Sequence, residues 1–161
     1  MDVDDLHAVM IRDLRALARE VAAYPSDAQL WQEMPGITNA GGNLALHLAG
    51  NLRHFLGAVL GASGWVRDRE REFNARGLPR TAVVAEIELA IADVDRVVPA
   101  LTAATLTAPF PVEVLGRRLP TARFLMHLCS HFAYHLGQID YHRRIVAPAS
   151  GTAGTMSLAE L

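Results

Sequence analysis

In four long stretches of the chain, apolar residues recur every three or four positions, a period that only an α-helix gathers onto one face. The clearest stretch is Val84, Ile87, Ile91, Val94, Val98 and Leu101, the seam of a helix packed at a shallow angle inside a bundle. An earlier one, Leu6, Met10, Leu14, Leu17 and Val21, ends before Pro25. Another begins near Thr38 or Asn39, either a good N-cap, and runs through Leu44, Leu48, Leu52, Phe55 and Val59 to the glycine-rich Gly61-Ala62-Ser63-Gly64. The last starts at Thr121, a second candidate cap, and carries Leu125, Leu128, Phe132, Leu136 and Ile139 as far as Val146. The pattern predicts an all-α four-helix bundle over residues 1–146. Pro109-Phe110-Pro111 to Leu119-Pro120 breaks the period and predicts a short hairpin or irregular crossover before the last helix. Residues 147–161, rich in Pro, Ala, Ser, Gly and Thr, read as a loosely ordered C-terminal tail. The alternating charges of Arg67 to Glu72 read as a solvated face or loop with no role of their own.

A length of 161 residues, half of them hydrophobic, supports one domain, because roughly 150 residues bury about 70% of their unfolded surface. The net charge of -2 offers no basic field for phosphates, so nucleic acid is not an expected partner. Phe55 to Val66 holds three glycines and is far shorter than the roughly 20 residues of a membrane span. The acidic start Met1-Asp2-Val3-Asp4-Asp5 is unlike a secretory signal, and a cytoplasmic location is the expectation. A single cysteine, Cys129, cannot close an internal disulfide and agrees with a reducing compartment. All fifteen basic residues are arginine, which excludes Schiff-base and phosphate-loop chemistry that needs lysine. There is no Gly-x-Ser-x-Gly elbow.

Three of the seven histidines, His127, His131 and His135, stand at successive i, i+4 spacing on the last helix. At about 100° per residue they share one stripe with Tyr134, Gln138 and His142 along the border of the leucine face. His131 and His135 lie one above the other and can converge on a single ion. A metal site wants a third protein ligand, and the second helix offers His47 beside its leucine stripe. His54 lies about 10 Å further along that helix at 1.5 Å per residue, so His47 and His54 cannot both bind one ion. His47, His131 and His135 are the economical set. His54 and His127 suit hydrogen bonding around the ligands, while Asn51, Tyr134 and Gln138 can orient a ligand or substrate or simply pack. His7 and His142, near helix ends, read as ordinary structural histidines; Glu33, Asp68 and Glu72 could reach the site from loops but read first as surface carboxylates. Phe132 stands where a zincin-type glutamate base would follow the first histidine.

These residues also carry a family resemblance. His131-Phe132-Ala133-Tyr134-His135-Leu136-Gly137-Gln138, preceded by His127, resembles the terminal-helix signature of the DinB/YfiT-like superfamily. Pro35 to Asn39, Asn43 to Leu48 and Gly50 to His54 resemble the first-ligand region of one DinB-like branch. Trp65 to Glu70 and Tyr141-His142-Arg143-Arg144 are similar to that branch too. The resemblance implies a four-helix bundle holding a divalent ion through His47, His131 and His135; imidazole ligands suit several metals, with zinc or nickel the first expectation and iron or manganese the next. It also implies a homodimer and chemistry that uses a low-molecular-weight thiol as cosubstrate.

The leading expectation is therefore a metal-dependent S-transferase or related transferase acting on a small-molecule substrate, with the metal lowering the pKa of the thiol. A metal-dependent hydrolase, or a non-catalytic metal- or ligand-binding dimeric bundle, is the alternative. Accessibility separates them, since a catalytic ion keeps an open position and a structural one is closed.

Overall fold

The computed structural model describes residues 2–151, 153 and 156–161. Long helices α1 (Val3–Ala22), α3 (Gly41–Leu52), α5 (Arg80–Val97) and α7 (Thr121–Val146) form the bundle. Short helices α2 (Asp27–Leu30), α4 (Arg69–Asn74) and α6 (Ala103–Thr107) lie in the connections. α1 and α3 each pack against α5 and α7, so the four long helices close a ring around one core, and α4 lies against α3.

The expected bundle is present, with shifts that have local causes. Leu6, Met10, Leu14, Leu17 and Val21 of α1 are all buried, as are Leu125, Leu128, Phe132, Leu136 and Ile139 of α7. In α5 the buried seam is Val83, Ile87, Ala90, Val94 and Val97, leaving Val84, Ile91 and Leu101 half-buried beside it. A small residue, Ala90, takes the centre because α1 and α3 both close on this helix. Neither Thr38 nor Asn39 caps α3, whose N-cap is Ala40 without a side-chain bond. Gly41 and Gly42 begin that helix instead, because a Cβ at either would enter the Tyr24 or Trp31 ring. Thr121 is the first residue of α7 rather than its cap, and its hydroxyl donates to the Ala108 carbonyl across the crossover.

α3 does not stop at Leu52. It continues as a π-helix over Arg53–Leu60, closed by the Gly61 amide donating to the Leu56 carbonyl at 2.8 Å. Such wide turns recur at functional sites and turn the following side chains to a new bearing. The crossover from Pro109 to Pro120 forms isolated bridges, Pro109 with Pro120 and Val114 with Arg117, and no strand among the described residues. Leu115 and Gly116 at its tip both have positive φ, the signature of a type I′ hairpin turn.

Arg67 to Glu72 is not a solvated stretch. Asp68 caps α4 by accepting from the Arg71 amide, and Glu72 is buried against α3. Of the tail, Ser150 and the Gly151 carbonyl accept from the buried Arg143, while Glu160 pairs with Arg19. Residues 152, 154 and 155 of that expected loose segment lie outside the described residues. No described helix is long and apolar enough to cross a membrane.

Candidate metal centre

α3 places His47 on the side facing α7, and one turn of α7 places His131 and His135 opposite it. One ligand nitrogen from each of the three lies within 4.8 Å of the others. His47 Nε2 and His131 Nε2 are 3.4 Å apart. A tetrahedral ion with metal–nitrogen bonds of ~2.0–2.1 Å holds its ligand nitrogens about 3.3 Å apart, so this spacing fits a shared cation. The rings meet edge to face, with interplanar angles of 76° for His47 and His131 and 82° for His131 and His135.

What the remaining nitrogens do decides which lone pairs are available. His47 Nδ1 is 3.0 Å from Glu72 Oε2, and His135 Nδ1 is 2.6 Å from Gln138 Oε1. Both partners accept, so each Nδ1 carries the hydrogen and each Nε2 keeps its lone pair. His131 Nδ1 faces the Asn51 side-chain amide at 3.2 Å. An amide's oxygen and nitrogen are assigned from the surrounding network, and with Oδ1 turned toward Nδ1–H the third Nε2 is freed as well. Thus His47 and His135 keep Nε2 free with Glu72 and Gln138 behind them, and His131 does the same with the Asn51 amide turned, an arrangement suited to binding a divalent cation.

Glu72 is itself gripped. Arg67 donates through Nε to Oε1 and through Nη2 to Oε2, each at 2.7 Å. Burial would raise the Glu72 carboxyl, yet the hydrogen bonds from Arg67 and His47 outweigh it and hold the group below its ordinary value. Arg67 Nη2 also lies 3.2 Å from His47 Nδ1, but a donor there competes with the Glu72 bond and cannot be made at the same time. Glu72 sits directly over Gly50 of α3, where a Cβ would strike its carboxylate. Phe73 of α4 packs its ring 4.9 Å from that of His47. Arg67 and Glu72 therefore support the candidate centre: Arg67 was read as part of a solvated stretch, and Glu72 as a surface carboxylate first and a residue reaching the site only second. Their only local signal was Gly50 one turn after His47.

The other expected residues are placed as follows. Asn51 and Gln138 contact His131 and His135 as described. Tyr134 is 65% exposed and meets His135 only by an edge contact at 5.2 Å. His127 stacks on Phe124 and lies 6.0 Å from the His131 ring, with no hydrogen bond to it. His54 is turned against Phe55, and its Nδ1 is buried with no partner. Neither of the two holds a ligand histidine. His142 is a buried structural histidine between the Tyr24 hydroxyl and the Gln32 carbonyl, and His7 pairs with Asp95. Glu33 pairs with Arg76 away from the cluster.

Burial pushes His131 down to about 4, helped by the neighbouring imidazoles of His135, His47 and His127 and by Arg67. Burial lowers His135 as well, against the Gln138 hydrogen bond. Both are neutral ligands at pH 7. Cys129 is half-buried away from this face, and burial raises its thiol to about 11, leaving it inert. A cleft of about 400 Å³ opens beside the cluster, with Ile37, Leu44, Tyr134, His135, Gln138 and Tyr141 among its walls.

The sequence matches no protein-family model. It matches no curated protein either. Among solved structures, a DinB-like protein from Bacillus cereus superposes with a TM-score of 0.66 at 19% identity, covering 91% of each chain. The fold is DinB-like. At that identity the likeness speaks for the architecture alone, so the chemistry of this DinB-like bundle rests on its own side chains.

Proposed function

We propose that this chain is a divalent-metal-dependent transferase that joins a small thiol to an electrophilic carbon. The observation that carries the reading is the set of three convergent imidazoles, two of them with an acceptor on Nδ1 that leaves Nε2 its lone pair, beside a cleft open to solvent. When bound, a divalent ion would supply a Lewis-acidic position that lowers the pKa of a thiol, so that thiolate exists at neutral pH.

The chain's own residues divide the remaining work. His135, Gln138 and Tyr134 line the cleft, so a thiol cosubstrate entering there would reach the cluster from the His135 side. In the transfer, the thiol loses its proton to solvent, the sulfur forms the new S–C bond, and the leaving group departs with the electron pair of the bond that breaks. No protein base is required for that sequence. Hydrolysis usually wants a positioned base, and the one carboxylate in contact with the three histidines among the described residues, Glu72, is occupied by Arg67 and His47. This disfavours the hydrolase alternative, and the open cleft disfavours a purely structural ion.

Metal-loaded protein is to be assayed with a chromogenic chloronitrobenzene and a panel of thiols that includes glutathione, bacillithiol and cysteine. Thiol-dependent turnover that disappears in His47→Ala supports the reading. Metal binding with no turnover for any thiol contradicts it and favours the non-catalytic bundle. The homodimer is proposed on the same footing, with exposed Tyr141 and Ile145 on α7 as its support. Light scattering decides it by mass.

A further inference from the structure

Beneath the hairpin that precedes α7 lies a second cavity, of about 230 Å³, separate from the cleft beside His135. Its floor and walls are apolar: Phe110 and Phe124 are buried with their rings tilted against each other, centroids 4.4 Å apart, and Val114 and Leu119 close over them from the hairpin. Two polar side chains line it, Arg117 and His127. Neither makes a side-chain hydrogen bond or ion pair among the described residues, whereas Arg53, Arg67, Arg71, Arg76, Arg80 and Arg96 all pair with carboxylates. Arg117 is therefore a cation at the exposed rim with no carboxylate partner, on the same hairpin as Glu113. We propose that this cavity is a binding site for a small monocarboxylate with an apolar body, the body lying on Phe110 and Phe124 and the carboxylate meeting Arg117 and His127.

The physical case rests on complementarity. The pocket is smaller than the roughly 300–1,000 Å³ that drug-sized ligands occupy, which limits the occupant to a short acyl chain or a single ring. Apolar walls with a few convergent polar groups are the usual composition of a ligand site, and an arginine suits a planar carboxylate by bidentate pairing. His127 also joins the cavity to the histidine cluster, its ring lying 6.0 Å from that of His131. An occupant would therefore be separated from the cluster by this one imidazole. The site needs no ion, so its test is independent of the metal.

Full-length protein treated with chelator is to be titrated calorimetrically with octanoate, kept below micelle formation, and with 1-octanol as the neutral probe of the same length. Octanoate should bind with the higher affinity. Arg117→Glu at the exposed rim should weaken octanoate at least tenfold and leave 1-octanol within twofold. Val114→Phe, if it melts at the wild-type temperature, should weaken both probes at least tenfold; if it does not, Arg117→Glu alone decides. Failure of octanoate to saturate the wild-type protein overturns the proposal, and so does an unchanged octanoate affinity in Arg117→Glu. Binding to anionic phospholipid vesicles without binding to monomeric octanoate assigns the basic rim to a lipid surface and equally overturns it.

Discussion

Glu72 is the residue on which the geometry of His47 turns. It accepts from His47 Nδ1 while Arg67 holds both of its oxygens, so the imidazole can neither rotate nor exchange tautomer freely. Glu72→Gln removes the charge that fixes the hydrogen on Nδ1, and metal affinity should fall ~10–100-fold, read by competition with a chromophoric chelator. Gly50→Ala should produce a milder loss of the same kind, because its methyl displaces the Glu72 carboxylate without deleting it. His131 gives a pH signature. Its value of about 4 lies below the unfolded 6.5, so the unfolded chain binds the extra proton between these limits. Its contribution to the stability of the metal-free protein is whole above pH 6.5 and is lost as pH falls toward 4. Thermal melts of chelator-treated protein should show a falling Tm across that window, with a smaller slope in His131→Gln. At this scale, spacing made the histidines legible, whereas Glu72 could not be told from Glu33 and Asp68 as the carboxylate that reaches them. It sits 25 positions from the histidine it holds, inside a run of charges whose burial depends on how α4 folds back onto α3.

The helices were legible because their apolar period is strong; their ends and local distortions were not. The α3 start was misplaced because tertiary contacts, Tyr24 over Gly41 and Trp31 over Gly42, decide it rather than a capping side chain. The π segment over Arg53–Leu60 leaves no mark in a three-and-four pattern that fits either helix type over eight residues. The crossover was open between hairpin and irregular chain, and the structure makes it a hairpin turn without strands. Leu115 at its tip has φ of 50° and is 98% exposed. It bears the cost of a left-handed conformation without any burial in return. Leu115→Asn should therefore stabilise the fold by up to about 1 kcal/mol, measured by urea denaturation. Gly116→Val, at φ of 73°, should cost about 1–3 kcal/mol in the same experiment.

Across the whole molecule, the bundle and the centre are joined by one arrangement: α3 and α7 are neighbours in the ring, and their facing residues meet at the histidines. That adjacency is why a pair from one helix and a single residue from another become one site. Elsewhere the fold is tied by a fully buried ion pair, Arg143 with Glu20 at 2.5 Å, which also anchors Ser150 and Gly151 after α7. Glu20→Ala leaves the arginine buried beside Asp140 alone, and unfolding free energy should fall by about 3–5 kcal/mol with the metal site otherwise intact. Sequence period revealed the bundle but not this pair, since neither the burial of Arg143 nor its distant partner shows in local pattern. The decisive measurement is elemental analysis of freshly purified wild-type protein and folded His135→Ala. About one divalent ion per chain in the former and little in the latter is the expected result. Equal metal content in the two proteins, or none in either at saturating divalent ion, would contradict the three-histidine centre.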